Sequence, residues 1–174
     1  FLGVNRGTSL KITGDAAALL QEKPLDIIRN KALDQKPYWH VERSRIGDTR
    51  KVPVELIVNG HAVARTEVTA DGSIQPVTFD YKLDKSSWVA LRIFPSAHTN
   101  PVFVEVDGKP IRASKRSAEW CLKAVDVCWN AKKGRIRKEE QDAAAAAFEK
   151  AREAYRTILD ESFDDRTQPG EKEE

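Results

Sequence analysis

The stretch VPVELIVNGHAVARTEV, residues 52–68, decides the fold class. Apolar and polar residues alternate on both sides of Asn59-Gly60, and this pair tolerates the positive φ angles that a tight hairpin turn requires. The stretch therefore predicts two antiparallel strands joined by a short turn.

Further strand signals lie on both sides of this hairpin. TSLKIT (8–13) alternates like a strand, although the GDAAALLQEK that follows has helix propensity and leaves the local structure open. The later candidates are IQPVTFDYKL (74–83), SSWVALRIF (86–94), PVFVEV (101–106) and KPIRA (109–113). Asp71-Gly72 precedes the first of them, and Asp107-Gly108 separates the last two. Short strands with turn residues and no helices between them predict a mainly β fold, an antiparallel β-sandwich of immunoglobulin-like type.

After residue 113 the hydrophobic period becomes helical. Residues 118–129 are almost all apolar, which predicts a helix buried around most of its circumference, with Ser117, or Ser114 one turn earlier, as its N-cap. A second amphipathic helix is expected from about Lys138 to Ser162. The short basic connection between them predicts a C-terminal α-helical hairpin.

These patterns define the expected domains. Residues 1–113 form the sandwich, with a long irregular excursion at 23–50 that contains one or two short helical turns. Residues 114–162 form the hairpin, packed on the sandwich or on a missing domain. Residues 163–174 form a tail that is expected to be disordered, because DDRTQPGEKEE (164–174) has no apolar residue to bury.

Composition narrows the classes of partner. The 29 basic and 27 acidic residues give a net charge of +2, and without a clustered basic excess we expect no nucleic acid. No run approaches the roughly 18 apolar residues that span a membrane, so no membrane partner is expected either. Cys121 and Cys128 lie seven residues apart on a predicted helix, too far for a disulfide, and are interpreted as core residues.

Few residues carry recognisable chemistry. His40, His61 and His98 show no metal-ligand spacing, and the sequence contains no nucleophile elbow, P-loop or dinucleotide motif. We therefore assign no catalytic residue, no metal ligand and no cofactor to this chain.

Two groups of residues remain candidates for binding. His98, Thr99 and Asn100 form a polar turn in SAHTNP, and together with Arg92 they are candidates to face another domain or a cleft; the alternative is a purely structural turn. Tyr38 and Trp39 are a candidate ligand platform.

Two further tryptophans belong to the apolar helix. For Trp120 and Trp129 we predict core or interdomain packing rather than ligand binding, because both stand in an apolar helical stretch.

The order of several segments resembles a known family. VPVELIVNGHAVA, SSWVALRI, AHTNPVFVEVDGKPIRASKRSAEWCLKAVDVCW and AREAYRTILDES, preceded by IRNKALDQKPYWHVERSRIGDTRKVPVE, are similar to the C-terminal region of CehA/McbA-type metallohydrolases, in the planctomycete-like secreted forms. These enzymes belong to the PHP (polymerase and histidinol phosphatase) superfamily. The likeness covers nearly the whole chain. It consists of similar segments in the same order along the sequence and includes no catalytic motif.

The resemblance implies a role outside catalysis. In that family a PHP barrel earlier in the polypeptide holds the divalent metal and hydrolyses ester-type bonds. This chain would then be a non-catalytic accessory domain whose partner is that upstream catalytic domain, in a periplasmic or extracellular protein. The absence of an initial Met fits a piece of a longer polypeptide, and such a fragment could self-associate.

Two other functions stay open at this point. The chain could be a free-standing carbohydrate-binding or protein-interaction module that uses Tyr38 and Trp39. It could also be a small metal-dependent hydrolase, if His40, His61 and His98 converge from three separate segments.

Overall fold

The computed structural model describes residues 1–163, which form eight strands and three α-helices. The strands are β1 (Leu2–Val4), β2 (Ser9–Ala16), β3 (Lys51–Val58), β4 (His61–Thr69), β5 (Gln75–Lys82), β6 (Ser87–Ile93), β7 (Ala97–His98) and β8 (Val102–Val106). The α-helices are α1 (Asp26–Arg29), α2 (Lys115–Lys132) and α3 (Gln141–Glu161), and 3₁₀ turns occupy Val41–Ser44, Lys133–Arg135 and Lys138–Glu140. Helices and strands each take 33% of the described residues, so the fold is rich in sheet with helices at its C-terminal end.

The predicted hairpin is confirmed. β3 and β4 pair antiparallel from Lys51–Thr69 to Val58–His61. Asn59 has a φ of 51° and Gly60 one of 97°, the left-handed conformations for which these residues are suited. Val52, Val54, Leu56 and Val58 alternate along β3 and are buried, so the sequence alternation turns these apolar side chains to one face, and Ile57 on the other face is buried as well.

The larger sheet is mixed rather than purely antiparallel. Its order is β1-β8-β6-β3-β4, with the two-residue β7 also paired to β6. β1 runs parallel to β8, from Leu2–Val104 to Val4–Val106, which corrects the expected all-antiparallel arrangement. The two paired segments are about 100 residues apart in sequence, and no local turn signal predicts their pairing.

The strand expected at 109–113 does not form. Asp107 and Gly108 have positive φ angles of 54° and 67°, as the turn signal predicts, but the residues that follow join no ladder. Pro110 lacks the N–H group that a ladder position needs.

The smaller sheet consists of β2 and β5, paired antiparallel from Ser9–Lys82 to Ala16–Gln75. The strand continues to Ala16, so pairing with β5 overrides the local helix propensity of this stretch. Both sheets contribute to one hydrophobic core, which includes Val52, Val54, Leu56 and Val58 of β3, Val77 and Phe79 of β5, Val89 and Ile93 of β6, and Val104 and Val106 of β8.

Segment 23–50 contains α1 and the 3₁₀ turn Val41–Ser44, in agreement with the expected one or two short helical turns. Arginine side chains organise the rest. The Arg43 guanidinium donates to four backbone carbonyl groups over 2.6 to 3.3 Å, those of Lys31, Ala32, Gln35 and Pro37. These hydrogen bonds satisfy carbonyl groups that no strand or helix partner reaches.

The C-terminal helices form a hairpin of their own. α2 is capped by Ser114, whose Oγ accepts a hydrogen bond from the Ser117 N–H at 3.1 Å, so Ser114 rather than Ser117 is the N-cap. The Trp129 and Phe148 rings lie 5.0 Å apart between α2 and α3. Arg152 Nε donates to Asp126 Oδ1 at 2.7 Å, and this ion pair joins the two helices.

The described residues divide into two compact units, the sheet unit of residues 1–111 and a helical unit that begins at Arg112. The predicted tail at 163–174 falls outside the described residues, apart from Phe163.

Candidate functional site

A cleft of about 380 Å³ opens in the sheet unit between β2 and the β6–β7 region. Apolar side chains form most of its wall, among them Ile12, Val54, Leu91 and Val102. Arg92, His98, Thr99 and Asn100 all line it as well. The structure therefore brings the four predicted residues to one cleft, and their role there remains a prediction.

The His98 ring has a defined tautomer when it is neutral. Nδ1 lies 3.0 Å from the Thr99 carbonyl oxygen, which can only accept, so Nδ1 carries the proton and Nε2 is the ring acceptor. Because His98 is exposed in the two-residue strand β7, a ligand in the cleft could donate a hydrogen bond to Nε2.

Thr99 has a structural role in the same turn. Its N–H donates to the Leu91 carbonyl at 2.9 Å, and its Oγ accepts from the Leu91 N–H at 3.1 Å. These two bonds hold the strand that carries His98 against β6.

Arg92 is paired across the larger sheet. Its Nε and Nη2 lie 2.9 and 2.8 Å from Glu55 Oε2, and its guanidinium carbon lies 5.2 Å from the centre of the Phe94 ring. Since Glu55 balances its charge, Arg92 gives the cleft a hydrogen-bonding rim without a strong positive field.

Tyr38 and Trp39 lie at the surface, 47% and 54% exposed. Their ring centres are 4.8 Å apart at 86°, an edge-to-face pair, so the two rings do not share one flat surface. Ser96 Oγ donates to the Trp39 carbonyl at 2.9 Å, and this bond connects the aromatic pair to the turn between β6 and β7.

A second cavity, of about 750 Å³, lies beside segment 23–50. It is lined by Leu19, Leu20, Gln21, Glu22, Lys23, Leu25, His40, Glu42 and Arg50. None of these residues except His40 was a candidate from the sequence. The signal that could have drawn attention to them is the density of arginines between Arg43 and Arg50.

Glu42, which lines this cavity, belongs to a fully buried ion pair. Glu42 and Arg45 side chains are both 0% exposed, and Arg45 donates through Nε at 2.6 Å and through Nη2 at 3.0 Å. Burial opposes the charged form of Glu42, but the hydrogen bonds from Arg45 and from the Leu25 N–H outweigh it and hold the pKa of Glu42 below its ordinary value. Glu42 therefore stays ionised inside the protein.

The three histidines do not assemble a metal site in the described structure. His40 caps the 3₁₀ turn, His61 begins β4 and His98 lies in β7. Within residues 1–163, no group of three or more His, Cys, Asp or Glu side chains could hold a metal ion. The convergence that the hydrolase hypothesis requires is thus not seen.

The predicted packing residues of α2 differ in their surroundings. Trp129 packs on Phe148 within the hairpin, whereas Trp120 is 70% exposed and Val127 is 69% exposed. Cys121 and Cys128 are free thiols, both half-buried. In the part of the chain that the structure describes, α2 is therefore not buried around most of its circumference, and that prediction was wrong.

No helix among residues 1–163 is long and apolar enough to cross a membrane.

Comparison with protein-family models, with curated proteins and with solved structures found no match to this chain.

Proposed function

We propose that this chain is a non-catalytic accessory domain of a PHP-type metal-dependent hydrolase and that it packs through α2 on the catalytic domain upstream in the same polypeptide. The observation that carries the proposal is the exposure of Trp120 and Val127. They lie seven residues apart, two helical turns, and so share one face of α2.

An exposed tryptophan beside an exposed branched apolar residue favours a protein contact. Large apolar side chains clustered at a surface mark interaction sites, and tryptophan is among the residues that contribute most to binding energy. In this proposal the divalent metal and the hydrolytic residues belong to the catalytic domain, and the accessory domain stabilises that domain or shapes its cleft.

The sheet unit of the proposed domain is an immunoglobulin-like β-sandwich. The support is the shared core of its two sheets and the short connections between most of their strands. The order of the segments that resemble CehA/McbA-type enzymes supports the same architecture.

Binding between separately purified parts tests the proposal. The chain is titrated with the upstream domain of the same polypeptide, and we expect Trp120→Ser combined with Val127→Ser to weaken binding at least about tenfold, since hot-spot truncations cost more than about 1 kcal/mol each. Ile27→Ser is the matched control, because Ile27 is also an exposed apolar residue but lies in α1.

Two results would contradict this assignment. One is unchanged affinity in the double variant. The other is stoichiometric divalent metal in the isolated chain, measured by mass spectrometry, together with turnover of a generic phosphodiester or ester.

A second candidate function uses the surface of the sheet unit, residues 1–111. Tyr38 and Trp39 are exposed next to the turn that leads into the cleft, which favours a carbohydrate-binding module. Titration with polysaccharides should then change the tryptophan fluorescence of the chain, and Trp39→Ala should abolish the change. An unresponsive spectrum in the unmodified chain would remove this candidate.

A further inference from the structure

The second edge of β2 is open to the cleft of the sheet unit. Among the described residues the smaller sheet contains only β2 and β5, so β2 has a strand partner on one side alone. Six consecutive residues, 12–17, line the cleft, although alternate side chains of a strand point to opposite faces. A wall made by both sets of residues is the backbone edge of the strand. The unpaired edge of β2 therefore faces the cleft.

Apolar side chains of the larger sheet form the floor of the cleft beside this edge. Val102 pairs with Val89, and Ala97 pairs with Ile93, so each points to the core side of the sheet, as its buried partner does. Val102 is nevertheless 50% exposed, and Ala97 is exposed as well. Both residues line the cleft, where core-facing side chains are left without a covering strand.

An open strand edge specifies the chemistry of what binds to it. Alternate residues of an edge strand point their N–H and C=O groups away from the partner strand, and an extended peptide backbone satisfies both kinds of group. Every second side chain of such a peptide then lies on the apolar floor. Since the floor belongs to the larger sheet of this chain, one strand can be added there. A second folded copy would bring its own larger sheet into the same space.

The outward face of β2 specifies one charge of the ligand. The outward residues are Lys11, Thr13 and Asp15, which are all exposed. Lys11 is opposite Asp80 on β5, whereas Asp15 is opposite Pro76 and has no charged neighbour across the strand pair. A lysine or arginine on an added strand would supply that neighbour, because opposite charges on facing strands attract.

We propose that the cleft binds an extended peptide segment of a second protein, which adds a third strand beside β2. The segment has apolar side chains at alternate positions, which contact Val102 and Ala97, and a lysine or arginine opposite Asp15. In such strand addition the main-chain hydrogen bonds give affinity and the alternate side chains give specificity. The site lies in the sheet unit and does not depend on the accessory role proposed for α2.

Peptide binding to the full chain tests the proposal. The probe is an eight-residue peptide of alternating valine and threonine, blocked at both ends, in which one central threonine is replaced by lysine. Calorimetry should give a Kd below about 1 mM, and the amide hydrogens of residues 12–16 should exchange more slowly in the complex. If the peptide does not bind below about 1 mM, the proposal is overturned.

Backbone methylation of the peptide shows whether a strand ladder forms. Methyl groups on the backbone nitrogens of one alternate set of residues block the hydrogen bonds to β2, and those on the other set point away from it. We expect one methylated peptide to lose at least about tenfold in affinity and the other to keep most of its affinity. Equal binding of the two methylated peptides would refute strand addition.

Variants of the chain locate the peptide. Val102→Lys places a charge on the apolar floor and should abolish binding, whereas Ile74→Lys, at an exposed residue outside the cleft, should leave it unchanged. Asp15→Asn should weaken binding of the lysine peptide about two- to fivefold and leave the all-threonine peptide unaffected. If no peptide binds and the chain instead forms dimers that Val102→Lys separates, the occupant is a second copy and the proposal is wrong.

Discussion

The sheet core and segment 23–50 lie in the same unit but are stabilised in different ways. The core is built from apolar side chains of both sheets. A core of this kind tolerates the replacement of many of its side chains by apolar residues of similar volume. The segment has few buried apolar residues and depends instead on arginines bonded to carbonyl groups and on the Glu42–Arg45 pair. The comparison teaches that a long irregular segment can be well ordered when a few charged side chains satisfy its backbone.

Arg45→Ala is expected to have the largest effect, because it leaves Glu42 as a buried charge without its main partner. We expect a loss of about 3–5 kcal/mol in the free energy of unfolding, measured by denaturant titration. Hydrogen exchange should rise first in residues 23–50. A loss no greater than that of the exposed control Arg65→Ala would mean that the pair does not stabilise the segment.

Leu56→Ala is the matching change in the sheet core. Leu56 is fully buried in β3, and removing its side chain should cost about 3 kcal/mol through lost burial and a cavity. Leu33→Ala, in an exposed leucine of segment 23–50, should change stability by less than about 0.5 kcal/mol. Similar losses in the two variants would remove the contrast between a buried and an exposed leucine.

Acid should weaken the segment through Glu42. Because its pKa in the folded protein is below the ordinary value of 4.5, the pair contributes fully above about pH 5, and the contribution falls as the pH drops below 4.5 toward the folded pKa. Unfolding free energies measured from pH 7 to pH 3 should show this decline. Glu42→Gln should flatten it, and an equally steep decline in that variant would assign the acid sensitivity to other carboxyl groups.

The smallest effect is expected in the helical hairpin. Arg152 pairs with Asp126 and Glu149, both half-exposed, so Arg152→Gln should lower the free energy of unfolding far less than Arg45→Ala does. Added salt should reduce the difference between the variant and the unmodified chain, as measured by thermal unfolding. A loss similar to that of Arg45→Ala would show that exposure does not distinguish the two arginine networks.

Much of the sheet could be predicted because its signals are local. Asn59-Gly60 specifies a turn by its own φ preferences, and alternation specifies which side chains of β3 are buried. The pairing of β1 with β8 could not be predicted in this way, since it depends on two segments that are distant in sequence.

The candidate site residues also differ in whether a local sequence pattern could predict them. His98 and Thr99 drew attention because a polar turn between apolar strands is visible in the sequence. Arg50 and Glu42 did not, because the density of arginines around them does not show which charged side chain is buried and which is solvated.

By itself the sequence determined the strand alternation, the turns and the two C-terminal helices, because backbone preferences and hydrophobic period act over a few residues. Only the tertiary structure decided the parallel strand pair, the burial of Glu42 with Arg45 and the burial of Arg50 Nε without a hydrogen-bond partner among residues 1–163. These features depend on which distant groups meet and on how much water they lose, and neither is encoded in any single stretch.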